Sequence, residues 1–377
     1  MMTDWAAVRA SFPATTSCCY LNTAAGGPIS EAAAAAGSSY YDATVRDGDV
    51  HWDEWLDRVE SVRGSVARLI QAHSHEIGFT NNASSALNLV ARKLLGTGSL
   101  LALRGDFPSV TWPWLQLGYE VDFLDTDDDG SVTLDAIVAA LKPQTRIVTL
   151  GLVHYRTGFR HDLTALGELC RERGLVLVAD ATQSLGAMAV DVSGGDVDFL
   201  ASSGYKWLNS GYGIGFLYVN SRHAGNHPQV GWRSARDPYA LVSDALDVTP
   251  DARAVEAGHP PFPNVFTLGA ALQLQHQLGA AVIESRVLQL SNLLCDVLVD
   301  AGLAVLSPAR PGTTSGIVLA RCADPVGLQN GLASHGVLVS ARGDGIRVSV
   351  HLYNNEADLH RLAATLHEIR ASGLLDC

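Results

Sequence analysis

Lysine is almost missing from this sequence: of 26 basic residues only three, Lys93, Lys142 and Lys206, are lysines. Charge of either sign is sparse, at 17% of residues, and 39 acidic residues leave a formal net charge of −13. With no basic stripe to offset it, that balance would repel a phosphate backbone and argues against a nucleic-acid partner. No stretch approaches the ~20 apolar residues that span a bilayer, and Thr3-Asp4-Trp5 stand where a secretory leader would place basic residues before an apolar core. A cytoplasmic protein with no membrane partner is expected. The six cysteines (Cys18, Cys19, Cys170, Cys295, Cys322, Cys377) include one adjacent pair but no C-x-x-C repeat, which excludes a thiolate zinc site and a disulfide scaffold.

Several chemical signatures are missing as well. The thirteen histidines form no H-E-x-x-H, and there is no Walker loop or G-x-S-x-G. Gly211-Tyr212-Gly213-Ile214-Gly215 does not complete a dinucleotide fingerprint. The run Asp125 to Gly130 opens like a calcium loop, but the position that needs a bidentate glutamate is Ala136, so an acidic turn and no metal are expected.

What is present is apolar bulk. Hydrophobic residues make up 47% of 377 residues, enough for two lobes rather than one core. Arginine in place of lysine, amid abundant alanine, glycine and valine, suggests a GC-rich bacterial genome. The middle of the chain alternates short apolar runs with helical periods: Ser99–Leu103, Glu120–Leu124, a helix near Leu134–Leu141, then Arg146–Leu150. A helix from about Asp162 to Arg173 follows, stopped by Gly174, and then Leu175–Asp180. Such alternation predicts an α/β fold with a largely parallel, covered sheet. After about residue 250 the Pro-rich run His259 to Pro263 leads into a long helical segment, about Leu268 to Ala301, and shorter strand candidates. Residues 21–250 are therefore expected to form a large domain, with 1–20 and 251–377 forming a smaller α+β domain.

Several ordered motifs stand above this background. They are Tyr20-Leu21-Asn22-Thr23-Ala24-Ala25-Gly26, Phe79-Thr80-Asn81-Asn82-Ala83-Ser84, Val178-Ala179-Asp180-Ala181-Thr182-Gln183, Ser203-Gly204-Tyr205-Lys206-Trp207 and Arg347-Val348-Ser349-Val350-His351-Leu352-Tyr353-Asn354. Together they resemble the pyridoxal phosphate (PLP) enzymes of fold type I, and within them the class V aminotransferase group of cysteine desulfurases, kynureninases and carbon-sulfur lyases. The resemblance covers most of the chain.

It implies a role for each matching residue. Lys206 would carry the cofactor covalently yet exchangeably, although a loop lysine taken alone is a solvated charge. Asp180 would keep the pyridine nitrogen protonated, and Gln183 would bond the phenolic oxygen. Asn82, Ala83 and Ser84 at a helix start, with Ser203 and Tyr205, would hold the phosphate. Tyrosine before the lysine departs from the histidine of desulfurases and is similar to kynureninases. Phe107, in Asp106-Phe107-Pro108-Ser109, would stack on the cofactor ring. His154 is implied as a catalytic residue and Tyr155 as a substrate contact, in the loop His154-Tyr155-Arg156-Thr157-Gly158. Arg347 would clamp an α-carboxylate bidentately, with Asn22 beside the substrate.

The resemblance leaves the reaction open. Desulfurases carry a persulfide-forming cysteine shortly before the terminal arginine, whereas Val339 to Arg347 contains none. The leading expectation is β-elimination from an S-substituted cysteine, since similar proteins handle cysteine conjugates in bacterial natural-product pathways of the lincosamide type. The alternatives are a decarboxylating oxidative deamination, transamination, and a non-catalytic binding module. The module is disfavoured because Lys206 and Asp180 are both retained. Relatives work as homodimers, and Pro263-Asn264 and Gly231-Trp232 are the segments expected near the second chain.

Overall fold

The structure, a computed structural model, describes residues 3–371. Cys377 lies outside the described residues. The apolar runs of the middle of the chain assemble into a seven-stranded sheet. Across it the strands run Ile77–Thr80, Gly215–Val219, Phe199–Ser203, Val176–Asp180, Thr145–Gly151, Ser99–Leu103 and Val121–Leu124. The last five are mutually parallel, and only Gly215–Val219 runs antiparallel to its neighbours. Three strands, Ser99–Leu103, Phe199–Ser203 and Gly215–Val219, are buried along their whole length, as central strands covered on both faces are.

Helices cover both faces. Leu163–Arg173 begins where the Asp162 side chain accepts the Ala165 N–H and ends at Gly174 in the left-handed conformation, matching both sequence signals. Ala83–Lys93 is capped by Asn82, and Glu31–Asp47 carries the alanine run. The acidic turn closes on itself, with Ser131 donating to Asp127 and Asp129.

Beyond the large sheet, an antiparallel four-stranded sheet runs in the order Ser340–Arg342, Gly345–Ser349, Ile317–Arg321, Ala304–Val305. Leu290, Leu294 and Leu298 of helix Ala280–Asp300 and Leu359, Leu362 and Leu366 of Glu356–Ala371 form one core with this sheet. The N-terminal segment joins it: Cys19–Tyr20 pairs in parallel with Val337–Leu338, and Arg9 binds Asp358 at 2.7 Å.

Two expectations need correcting. The long helix expected to run unbroken to Ala301 is two helices, Phe262–Leu278 and Ala280–Asp300, separated by Gly279 at φ +85°. A positive φ cannot continue a right-handed helix, so the chain turns there. The division at residue 250 also falls too early. Phe262, Val265, Phe266, Leu268 and Leu272 lie in the core shared with the large sheet, along with Trp55, Val59 and Val62 of Trp52–Ile70. Only the helix after Gly279 serves the smaller core.

Candidate active site

Four neighbouring strands of the large sheet deliver a polar group at or just past their C-terminal ends, the side where parallel sheets form their ligand crevices. Asp106 follows Ser99–Leu103, Gly151 ends the next strand, Asp180 ends Val176–Asp180, and Ser203 ends Phe199–Ser203. Register aligns Gly151 with Asp180 and Asp180 with Ala201. A cleft opens over these ends, lined by Ala83, Ser84, Asp106, Phe107, Tyr155, Asp180, Thr182, Gln183, Ser203, Tyr205 and Lys206 among others.

Lys206 is buried, and burial lowers its ammonium to a pKa of about 8; Asp180 acts against that shift, while Arg347 and Arg342 add to it. Its Nζ lies 5.5 Å from the centre of the Phe107 ring. Asp180 accepts the Thr182 N–H at 2.9 Å, and burial raises its carboxyl above the usual range even though Thr182 and Lys206 favour the anion. Gln183 is fixed at both ends of its amide: Nε2 donates to the Ala24 carbonyl at 3.0 Å, and Oε1 accepts the Trp207 indole N–H at 2.9 Å. Trp207 itself is held from below, its carbonyl receiving Gln275 at 3.1 Å and lying 2.9 Å from the buried His351 ring. The segment bearing Lys206 is therefore clamped by groups from both cores.

At the other end of the cleft the helix Ala83–Lys93 points its first N–H groups inward. Ser203 Oγ accepts the Ala83 N–H at 2.9 Å, Thr182 Oγ1 accepts the Ser203 N–H at 3.2 Å, and Ser84 Oγ lies 2.7 Å from Ser109 Oγ. A helix N-terminus and the four hydroxyls of Ser84, Ser109, Thr182 and Ser203 form an anion cradle. Tyr205 stacks on Tyr212 at 4.4 Å, which fixes the ring just before Lys206.

Arg347 supplies the most telling feature. It is only 2% exposed, and its Nη1 donates to the Tyr155 carbonyl at 2.7 Å, yet Nε and Nη2 are buried without any partner. Burial, reinforced by Arg342, lowers its pKa to about 9. A guanidinium stripped of water and left two donors short is built to receive an anion.

Residues 19–362 of the chain match the aminotransferase class-V family. The chain belongs to this family. Over 96% of this chain and 98% of the relative it is 28% identical to the uncharacterized aminotransferase YcbU of Bacillus subtilis. It is also 28% identical to an isopenicillin N epimerase of Amycolatopsis lactamdurans, over 82% of this chain and 84% of that protein. A solved cysteine desulfurase from Thermococcus onnurineus superposes with a TM-score of 0.90 at 25% identity, covering 99% of both chains. Pyridoxal phosphate is the cofactor of this class V chain, as of its family. The residues fit it: a desolvated lysine, a buried carboxylate and an anion cradle share one cleft, and the open guanidinium of Arg347 bonds the carbonyl of the cleft-lining Tyr155.

Not every expected residue arrives there. Asn82 is absent from the cleft lining because its Oδ1 accepts the Ser85 N–H at 2.9 Å, capping its own helix. His154 is also absent. Its Nδ1 meets Thr157 Oγ1 at 2.8 Å, its Nε2 lies 3.3 Å from the Gly105 carbonyl, and burial lowers its pKa. These contacts pin the loop that presents Tyr155. Asn22 sits one layer out, accepting from Ser340 Oγ at 2.7 Å. Tyr155 meets the Phe107 ring edge-on at 5.4 Å and covers Arg347 with its carbonyl.

One cleft residue was missed by sequence reasoning. The half-buried Asp106 accepts the Phe107 N–H at 2.6 Å and the Gly151 N–H at 2.7 Å. Burial raises its pKa to about 6 despite these bonds, with Asp180 pushing the same way. Its signal was the residue directly before Phe107, hidden because one carboxylate in a loop looks like any surface acid.

Proposed function

We propose that this class V enzyme cleaves the carbon-sulfur bond of an S-substituted cysteine by β-elimination. Overall, R–S–CH2–CH(NH3+)–CO2− and water give R–SH, pyruvate and ammonium, with no oxidant needed. The observation that carries the reading is the open guanidinium of Arg347 beside the desolvated amine of Lys206. Bound PLP supplies an electron sink for negative charge developing at Cα. Arg347 would take the α-carboxylate through two parallel N–H donors and so fix which Cα bond can break. Lys206, depressed toward neutrality, can accept the Cα proton near physiological pH. Asp180 is the carboxylate able to keep the cofactor's ring nitrogen protonated, Phe107 flanks the ring, and the Ala83–Ser84–Ser203 cradle holds the phosphate.

A desulfurase reaction is disfavoured by the hairpin at Arg342. Ser340–Arg342 and Gly345–Ser349 are joined by Gly343-Asp344 alone, leaving no loop to carry a sulfur-accepting cysteine. The thiol should therefore leave still attached to its substituent. The deciding assay supplies S-alkyl or S-glycosyl cysteines and follows pyruvate, carbon dioxide and oxygen together. Stoichiometric pyruvate supports the proposal. Oxygen uptake with carbon dioxide release would replace it with oxidative decarboxylation, and an amine form of the cofactor rescued by a keto acid would replace it with transamination.

We also propose a homodimer whose second chain closes the phosphate side. A cavity of about 600 Å³ lies on the outer side of the same turn, sharing Ser84 with the cleft and lined by Asn82, Arg92 and the segment 255–261. Next to it the chain exposes Trp232, Tyr239, Leu241, Val242 and Leu246, and Trp232 meets His259 edge-on at 4.9 Å. Asn264 donates to the Tyr212 carbonyl at 2.8 Å, joining this surface to the tyrosine stack. A fully active monomer in light scattering would overturn it. Among the described residues no helix is long and apolar enough to cross a membrane.

A further inference from the structure

The hairpin that carries Arg347 presents a second guanidinium to the same side. Ser340 stands opposite Arg347 and Arg342 opposite Gly345, and side chains two residues apart on a strand share a face. On that face Arg347 reaches the carbonyl of the cleft-lining Tyr155 at 2.7 Å, with Ser340 bonded to Asn22 at 2.7 Å one layer behind. Arg342 therefore lies diagonal to Arg347, and its direct opposite, Gly345, has no side chain to crowd it. It is half-buried on the edge strand, and its positive charge bears on both Lys206 and Arg347.

Among the described residues nothing neutralises it. Arg342 has no carboxylate partner among them, and its Nη1 donates only to the Ala341 carbonyl, at 2.7 Å. The one acid of the turn, Asp344, is engaged elsewhere, by Arg321 at 3.1 Å and by Arg156 at 3.7 Å. Once an α-carboxylate has satisfied Arg347, Arg342 would still stand near it as a half-buried cation without a carboxylate partner. An isolated charge of this kind costs free energy unless an anion is brought to it.

We infer that Arg342 binds a second anionic group of the substrate, a carboxylate carried on the sulfur substituent, and so selects acidic cysteine S-conjugates over neutral ones. The inference rests on the β-elimination reading for the position of the charge, but its test does not need turnover. S-carboxymethyl-L-cysteine and its amide, S-carbamoylmethyl-L-cysteine, are nearly isosteric and differ in the one charge. Each is titrated against the holoenzyme by the change in cofactor absorbance, in low and high salt, and pyruvate is measured separately.

The acid should bind at least about tenfold more tightly than the amide, as expected of a charge-assisted bond, and the preference should shrink in high salt. In Arg342→Gln the ratio should fall to near one, and Arg342→Lys should restore part of it. Equal binding of acid and amide by the wild type, binding of neither, or a preference that survives Arg342→Gln would each overturn the inference. Absence of pyruvate alongside an intact acid preference would remove the elimination chemistry and leave the subsite standing.

Discussion

Two arginines of this protein are equally hidden and oppositely treated. Arg63 and Arg347 are each 2% exposed. Arg63, beside the edge strand Ile77–Thr80, spends every donor: Glu60 and Glu256 each take two arms, the Ile77 carbonyl a third contact at 2.9 Å, and the Phe79 ring lies 4.8 Å beneath. Burial would lower its pKa, but Glu256 and Glu60 overcome that and raise it. Arg347 keeps two donors idle, and burial lowers it to about 9. Burial alone therefore says nothing about role. A desolvated charge that the fold has completed belongs to the architecture, and one that it has left incomplete is reserved for a ligand.

The comparison can be broken at several points. Lys206→Ala should show the largest effect, total loss of turnover and of the cofactor's covalent visible band; a borohydride-sensitive chromophore surviving in that variant would remove Lys206 from its role. Arg347→Gln should lower kcat/KM by roughly a thousandfold, the order expected when a buried ionic contact to substrate is lost. Its melting temperature should hold or rise, because an unpaired buried charge disappears. Arg63→Met should do the reverse, costing about 3–5 kcal/mol in denaturant unfolding, since two carboxylates are left behind, while kcat per folded molecule stays within about twofold. If Arg347→Gln unfolded the protein as readily as Arg63→Met, the distinction would collapse.

Smaller effects sharpen it. Asp106→Asn should lower kcat/KM by about tenfold and stability by about 1–2 kcal/mol, because an amide cannot accept both the Phe107 and the Gly151 N–H. The last prediction concerns bases kept neutral. Burial lowers His351 to about 3 and His161 to about 4. Below pH ~6.5 the unfolded chain takes up protons that these rings refuse, so stability present at neutral pH is lost as the pH falls. The slope should be at most about 1.4 kcal/mol per pH unit for each ring, read from melting temperatures, and His161→Gln should flatten it.

Most of the large sheet was legible because its strands are buried on both faces and its helices carry explicit stops, as at Gly174. Asp180 and Ser203 end neighbouring strands and Lys206 follows three residues on, so the fold brings the three segments read from the sequence to one cleft. Where the Asn82 and His154 side chains turn was not legible, because a side chain can cap its own helix or pin its own loop and no spacing rule says which way it turns. Asp106 was illegible because its importance comes from two N–H groups, one of them on a strand 45 positions away. The domain boundary failed because proline density marks a break in secondary structure, not in the core.

The ends of the chain carry a further consequence, in time rather than in space. Arg9 donates to the carbonyl of Tyr353, 344 positions onward, and the strand Cys19–Tyr20 has no partner until Val337–Leu338 exists. Closing so long a loop is slow, and a growing chain lengthens by only about 5–20 residues per second. For most of its synthesis the N-terminal segment must wait with Leu21 and Cys19 uncovered, while the large sheet can already form around it. The hairpin bearing Arg342 and Arg347 is built late, so a chain stalled before it would hold the lysine and the phosphate cradle yet lack the residues proposed to choose a substrate.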